Sequence, residues 1–160
     1  MSNRLIDSAF LKRGFSLKTI CIVLLISLSG CSTEPSFRLA GGSQIQLSEL
    51  HGSWVLINYW ADWCRPCREE IPELNELHLR QEGEPIYVLG VNFDYLEGQE
   101  LESLIAQMGI EFPVLVDDPQ VIVGYDAAQV LPMTVIISTQ GSVHNVLVGP
   151  QTTETIEASL

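Results

Sequence analysis

The sequence predicts an α/β protein: a three-layer α/β/α sandwich around a mixed central sheet, with an N-terminal β-hairpin as an extension. Three observations carry that expectation. Near-continuous apolar runs of strand length, WVLINYW at 54–60 and IYVLGVNF at 86–93, suit strands buried on both faces. Segments with helical spacing alternate with these runs. Two further short apolar runs joined by Thr139-Gln140-Gly141-Ser142 then close the chain as an antiparallel hairpin.

The first thirty residues stand apart from this pattern. Arg4, Lys12, Arg13 and Lys18 precede an apolar run at 20–28 and the small residues Ser29 and Gly30. The run falls short of the roughly 20 residues a bilayer span needs, and suits the core of an export signal. The expected organisation is a signal at 1–30, a short polar tether at 31–36 and one domain at 37–160. Leu28-Ser29-Gly30-Cys31 resembles the lipobox of bacterial lipoproteins, which implies lipidation of Cys31 and a membrane attachment through lipid. In the sorting pattern of Gram-negative lipoproteins, Ser32 in place of Asp implies a periplasm-facing anchor on the outer membrane in preference to the inner one. An uncleaved signal anchor, or an ordinary signal with a chance cysteine, is the alternative.

Removing that segment sharpens the charge. The whole chain carries a net charge of −12; four of the eight basic residues and one acid lie in the first thirty, so Arg38, Arg65, Arg68 and Arg80 remain against nineteen acids, a net −15. Such a surface repels polyanions, and nucleic-acid binding is excluded as a function. With Cys21 in the signal and Cys31 taken by lipid, Cys64 and Cys67 are the candidate disulfide. In an oxidising compartment a lone, closely spaced pair points to a redox couple in preference to a structural staple.

Taken in order, residues 37–50 alternate weakly around Gly41-Gly42 and predict the small hairpin. The run at 54–60, broken only by Asn58, predicts a central strand feeding directly into C-x-x-C. Both sulfurs are thereby expected exposed at the mouth of a helix, where the dipole favours a thiolate. Ile71, Leu74 and Leu77 predict a helix from Arg68 to about Gln81, with Pro72 inside it and Gly83 and Pro85 ending it. The same spacing places Glu70 on the side of Cys67 and sends Glu69 and Glu73 toward water. Leu101, Leu104, Ile105 and Met108 predict a second helix stopped by Gly109, FPVLVDD a third strand from about Pro113, residues 119–126 a short helix, and 152–160 a last one.

The stretches VLINYWADWCRPCREEIPEL, GVNFD, GIEFPVLVD and VLPMTVII resemble, in order and spacing, the thioredoxin superfamily, specifically the TlpA-like and ResA-like thiol-disulfide oxidoreductases of bacterial envelopes. The resemblance implies a thioredoxin-like fold, Cys64 as the attacking and Cys67 as the resolving cysteine, and Pro132 as a cis-proline facing them. It implies a buried catalytic acid beside the cysteines at Glu70, which raises the thiol pKa values or relays a proton to and from Cys67, since Asn58 stands where ordinary thioredoxin carries a buried Asp; a solvated helix acid is the alternative. Leu131 would then offer its backbone to an extended substrate, with Trp63, Arg65 and Pro66 around the disulfide. Trp60 and Trp63 would form the apolar surround of Cys64, and Arg65 and Arg68 would add positive charge near it.

The expected partners are protein thiols and disulfides and a membrane thiol-disulfide electron donor, with no metal or organic cofactor. Cytochrome c maturation and general thiol reduction are the expected settings of a reductase. Two rivals remain open. A peroxiredoxin-like peroxidase wants a P-x-x-x-T-x-x-C setting that is absent around Cys64. A Cu(I)-delivery protein could use the same two sulfurs, but no neighbouring His or Met is apparent. A structural zinc site wants four ligands, and neither a second C-x-x-C nor a paired-His spacing follows.

Overall fold

The computed structural model describes residues 34–80 and 85–160. The segment expected to be an export signal, with Cys21, and Cys31, Ser32 and Gly83 lie outside the described residues. Strands β1 (Ser36–Arg38) and β2 (Gln44–Gln46) form the antiparallel hairpin, and a 3-10 turn, Leu47–Leu50, follows. Ser36, assigned to the tether from sequence, is already paired in β1 with Gln46.

The central sheet holds β3 (Trp54–Trp60), β4 (Ile86–Asn92), β5 (Val114–Leu115), β6 (Met133–Ile137) and β7 (Val143–Val148) in the order β5-β4-β3-β6-β7. Pairs β3–β4 and β4–β5 are parallel, whereas β3–β6 and β6–β7 are antiparallel, so the sheet is mixed as expected. The apolar run of β3 makes it the middle strand, since only a strand covered on both faces can bury six successive residues. The third strand is much shorter than FPVLVDD suggests, two residues in all.

The helices are α1 (Arg65–Leu79), α2 (Gly98–Met108), α3 (Gln120–Val123) and α4 (Thr153–Glu157). One face of the sheet packs Leu56, Trp60, Val88 and Ile136 against Ile71, Leu74 and Leu77 of α1, Leu101 of α2 and Ile156 of α4. On the other face Val55, Ile57, Tyr59, Leu89 and Val135 are covered by Phe37, Leu50 and the segment around Val123 and Tyr125. That second layer is thin. Its polar fastening is Tyr59, whose hydroxyl donates to Asp118 (2.6 Å) and shares a hydrogen bond with Tyr125 (2.9 Å). Burial, first of all, pushes the Tyr59 hydroxyl far above the ordinary tyrosine range, so it keeps the proton it donates.

Helix α1 starts three residues before the expected Arg68 and ends at Leu79, because Cys64 caps it and Pro66 fits its first turn, where a missing N–H goes unused. Gly109 ends α2 in the left-handed conformation, φ +69°. The hairpin closes the β5 edge: Ala40 N donates to Val114 O and Val116 N to Arg38 O, both at 2.8 Å, and the Arg38 guanidinium grips Asp117 (2.7 Å). An edge so covered cannot recruit a foreign strand.

At the end of the sheet away from the cysteines, Glu34, Pro35, Val55, Ile137 and Gly141 line a cavity of about 200 Å³. Gly90 of β4 is required by packing: a Cβ there would meet Trp60 Nε1 at 2.9 Å and Phe112 at 3.0 Å. Gly90→Ala should therefore lower stability by about 1–3 kcal/mol through overpacking, read as a lower urea midpoint at constant slope.

Candidate active site

Strand β3 delivers the chain at Trp60, and Ala61 to Trp63 carry it to the helix start. Cys64 is the N-cap of α1, with extended backbone (φ −83°, ψ 99°), and its Sγ accepts the backbone N–H of Cys67 at 3.2 Å. A sulfur in that position sits at the positive end of the helix dipole. Cys64 and Cys67 are joined in a disulfide. The expectation of two exposed sulfurs is corrected: Cys64 is 4 % exposed and Cys67 fully buried, because both belong to the core cluster beneath α1. What access exists lies at Cys64.

The surroundings refine the other expectations. Trp60 packs in that same core cluster, whereas Trp63 is 62 % exposed. The Trp63 indole N–H donates to Asp94 (2.9 Å) and its ring stands edge-on to Phe93. Arg65 points to solvent and pairs with Glu69 (3.0 Å), which dilutes its effect on Cys64. Arg68 clamps the loop instead, donating twice to the Asp62 carbonyl (2.9 and 2.6 Å).

The Leu131–Pro132 bond is cis. Pairing of Tyr59 with Met133 puts Leu131 and Pro132 at the end of the sheet where β3 runs out into the C-x-x-C turn, and Leu131 packs against the cluster holding both cysteines.

Glu70 is 1 % exposed. Its Oε1 accepts from Asn58 Nδ2 at 2.6 Å and its Oε2 from the Gln151 backbone N–H at 3.0 Å. Burial pushes this carboxyl from 4.5 up to about 7, against the two hydrogen bonds, which favour the charged form. It lies one helical turn beyond Cys67, a spacing of about 5–6 Å between Cβ atoms. Glu73 departs from the expectation of a solvated acid: its carboxylate accepts from the Thr153 N–H and hydroxyl, both at 3.0 Å, and so holds the start of α4. Among the described residues, no group of three or more His, Cys, Asp or Glu side chains is placed to hold a metal ion, and no helix is long and apolar enough to cross a membrane.

Sequence reasoning missed four contributors. Asn92 accepts from Asp94 N (3.2 Å) and Leu96 N (3.3 Å), so it shapes the turn that carries Asp94 to Trp63. Thr134 bonds Asn58 at 3.0 Å, and Gln151 reaches Glu70 through its backbone alone. GVNFD gave a signal for the first pair, but strand register, unreadable from one sequence, sets the rest.

Comparison with known proteins agrees with this geometry. The sequence model of the AhpC/TSA family matches residues 32–146. The thiol-disulfide oxidoreductase ResA of Bacillus subtilis (strain 168) is 34% identical over 131 residues, 79% of this chain and 71% of that protein. ResA of Geobacillus kaustophilus (strain HTA426) is 31% identical over 150 residues, covering 92% and 85% of the two chains. Among solved structures, a putative thiol:disulfide interchange protein DsbE from Chlorobium tepidum superposes with a TM-score of 0.61 at 28% identity, covering 79% of this chain and 91% of that one. A secreted thiol-disulfide isomerase from Corynebacterium glutamicum reaches 0.66 at 25%, covering 79% and 80%.

Proposed function

The chain belongs to the thioredoxin-like AhpC/TSA family and is a protein thiol-disulfide oxidoreductase of the ResA/DsbE type, and we propose on that premise that it acts outside the cytoplasm as a reductase held to a membrane by lipid on Cys31. The observation that carries the reading is the asymmetry of the sulfur pair. Cys64, with its sliver of access at the helix N-terminus, attacks a substrate disulfide, and Cys67, wholly buried and one turn in, resolves the mixed disulfide. Pro132 and the Leu131 backbone frame the approach of the substrate chain, and Trp63, Arg65 and Pro66 form its rim.

Charge supports the reductase direction. A strong oxidant owes its potential to a stabilised thiolate in the reduced form. Here Arg65 is compensated by Glu69, and the Glu70 carboxylate, buried one turn from Cys67, opposes a second negative charge beside it. A dithiol whose second sulfur lacks such stabilisation gives up its electrons readily. A membrane thiol-disulfide protein would re-reduce the pair, with the disulfides of apo-cytochrome c or of periplasmic proteins in general as substrates.

Equilibration with glutathione and dithiothreitol tests the direction. A potential in or below the thioredoxin–glutaredoxin range, about −200 to −270 mV, is expected, and one near the −120 mV of a strong oxidant overturns the reductase reading. The reduced protein should reduce insulin and consume hydrogen peroxide no faster than free cysteine. Cys31→Ser should abolish incorporation of labelled fatty acid in a bacterial host; incorporation that persists removes the anchor.

A further inference from the structure

Asn58 is fully buried in the middle of an otherwise apolar strand. An amide there is costly unless its polar atoms are paired, and only its nitrogen is. Nδ2 donates one hydrogen to Glu70 Oε1 (2.6 Å) and the other to Thr134 Oγ1 (3.0 Å), while Oδ1 is buried without a hydrogen-bond partner. The three groups joined to Glu70 directly or through Asn58 differ in what they can do. The Gln151 N–H on Oε2 is fixed by the backbone and can only donate. The Thr134 hydroxyl can donate or accept, and a half-turn of the Asn58 amide presents either a donor or an acceptor to the same point.

We infer that Asn58 is a positioning residue whose side-chain amide turns over with the charge on Glu70, donating to the carboxylate and accepting from the carboxylic acid. With Glu70 ionised, the arrangement is the one described. When a proton arrives on Oε1, an unturned Nδ2–H would face an O–H. After the half-turn Oδ1 accepts from Glu70 Oε1–H and from the Thr134 hydroxyl, and Nδ2 becomes the unpaired atom. One orphan remains in either state, so neither orientation is locked by its hydrogen-bond count.

The inference rests on the role proposed above for the cysteine pair, and extends it. Cys67 passes its thiol proton to the Glu70 carboxylate as Asn58 turns. The Cys67 sulfur then attacks Cys64 Sγ, the Cys64–Cys67 bond forms as the bond from Cys64 to the substrate sulfur breaks, and that sulfur leaves with the electron pair and takes a proton from solvent. Substrate is reduced and the protein oxidised by the same two electrons.

Neighbouring charges leave this titration to burial and hydrogen bonding. Glu73 is bound by Thr153, and Glu157 of α4 pairs with Arg80. Glu154 is exposed on α4. Strand β4 offers Val88, Gly90 and Asn92 to this face, and β6 offers Thr134 and Ile136. Among the described residues, no ion pair involves Glu70.

An NMR pH titration of the labelled, oxidised protein tests the turn directly. The Asn58 side-chain amide signals should move with the same midpoint as the Glu70 carboxyl carbon, and Glu70→Gln should abolish that movement. Asn58 signals that stay constant while Glu70 titrates overturn the inference. Asn58→Leu removes the donor to the carboxylate and should raise the Glu70 midpoint by a unit or more; an unchanged midpoint also overturns it. Thiol titrations that are unaltered in Glu70→Gln, with Asn58 still following Glu70 in the parent protein, would remove the relay to Cys67 and leave the turning amide in place.

Discussion

Cys64→Ser should abolish thiol-disulfide exchange, and Cys67→Ser should stop it one step later, with the protein covalently joined to its substrate. The two losses differ because the sulfurs differ in position. Cys64 holds what access to solvent the pair has and takes the helix-start hydrogen bond from Cys67 N–H, so its thiolate is the one that can reach another protein and be stabilised while doing so. A serine there offers a hydroxyl that is neither ionised nor an acceptor of a sulfur bond. Cys67 is sealed beneath the helix and reaches only Cys64. Without it the mixed disulfide has no internal route to resolution, and it should survive on a non-reducing gel and disappear on adding dithiothreitol. Insulin reduction at background for both variants, with a trapped adduct for Cys67→Ser alone, is the expected pattern. An adduct on Cys67 in the Cys64→Ser protein would reverse the assignment.

The second large effect is on stability. Glu70 binds its proton more tightly folded than unfolded, because burial lifts the carboxyl to about 7 from an ordinary 4.5. Its contribution therefore runs opposite to that of a salt-bridged carboxylate. It is neutral to folding below pH 4.5, where both states are protonated, and turns increasingly unfavourable as pH rises from 4.5 through 7, where only the unfolded chain has released the proton. The span corresponds to roughly 3 kcal/mol at full development. Glu70→Gln keeps the shape and removes the charge, so urea unfolding of the oxidised proteins should show the variant matching the parent near pH 4 and exceeding it by that order at pH 8. Equal pH slopes for the two proteins would mean that Glu70 holds its proton no more tightly folded than unfolded, as a solvated carboxyl does.

How much of this was legible in the chain depends on the range of the interaction concerned. Strands β3, β4, β6 and β7 and helix α2 could be read because each is set by its own apolar period or its own stop signal, such as Gly109. The C-x-x-C turn was legible for the same reason: Trp63, Cys64, Pro66 and Cys67 are neighbours in sequence. Glu73 was misread because the Thr153 groups it holds are eighty residues away, and nothing in its own helix distinguishes it from Glu69. The pairing of the β5 edge with the hairpin joins residues more than seventy apart, and no local signal announces it. Burial of the sulfurs follows from how α1 settles on the sheet, a tertiary fact that no spacing encodes.

The cavity beside Glu34 and Pro35 marks where the domain's chain begins, against the first residues of β3 and the last of β6. Cys64 lies four residues past the end of β3, so that seven-residue strand separates the two poles by about 20 Å. The entry of the chain at Glu34 and the redox turn therefore stand at opposite ends of a single strand, and a change made at one reaches the other only along its whole length.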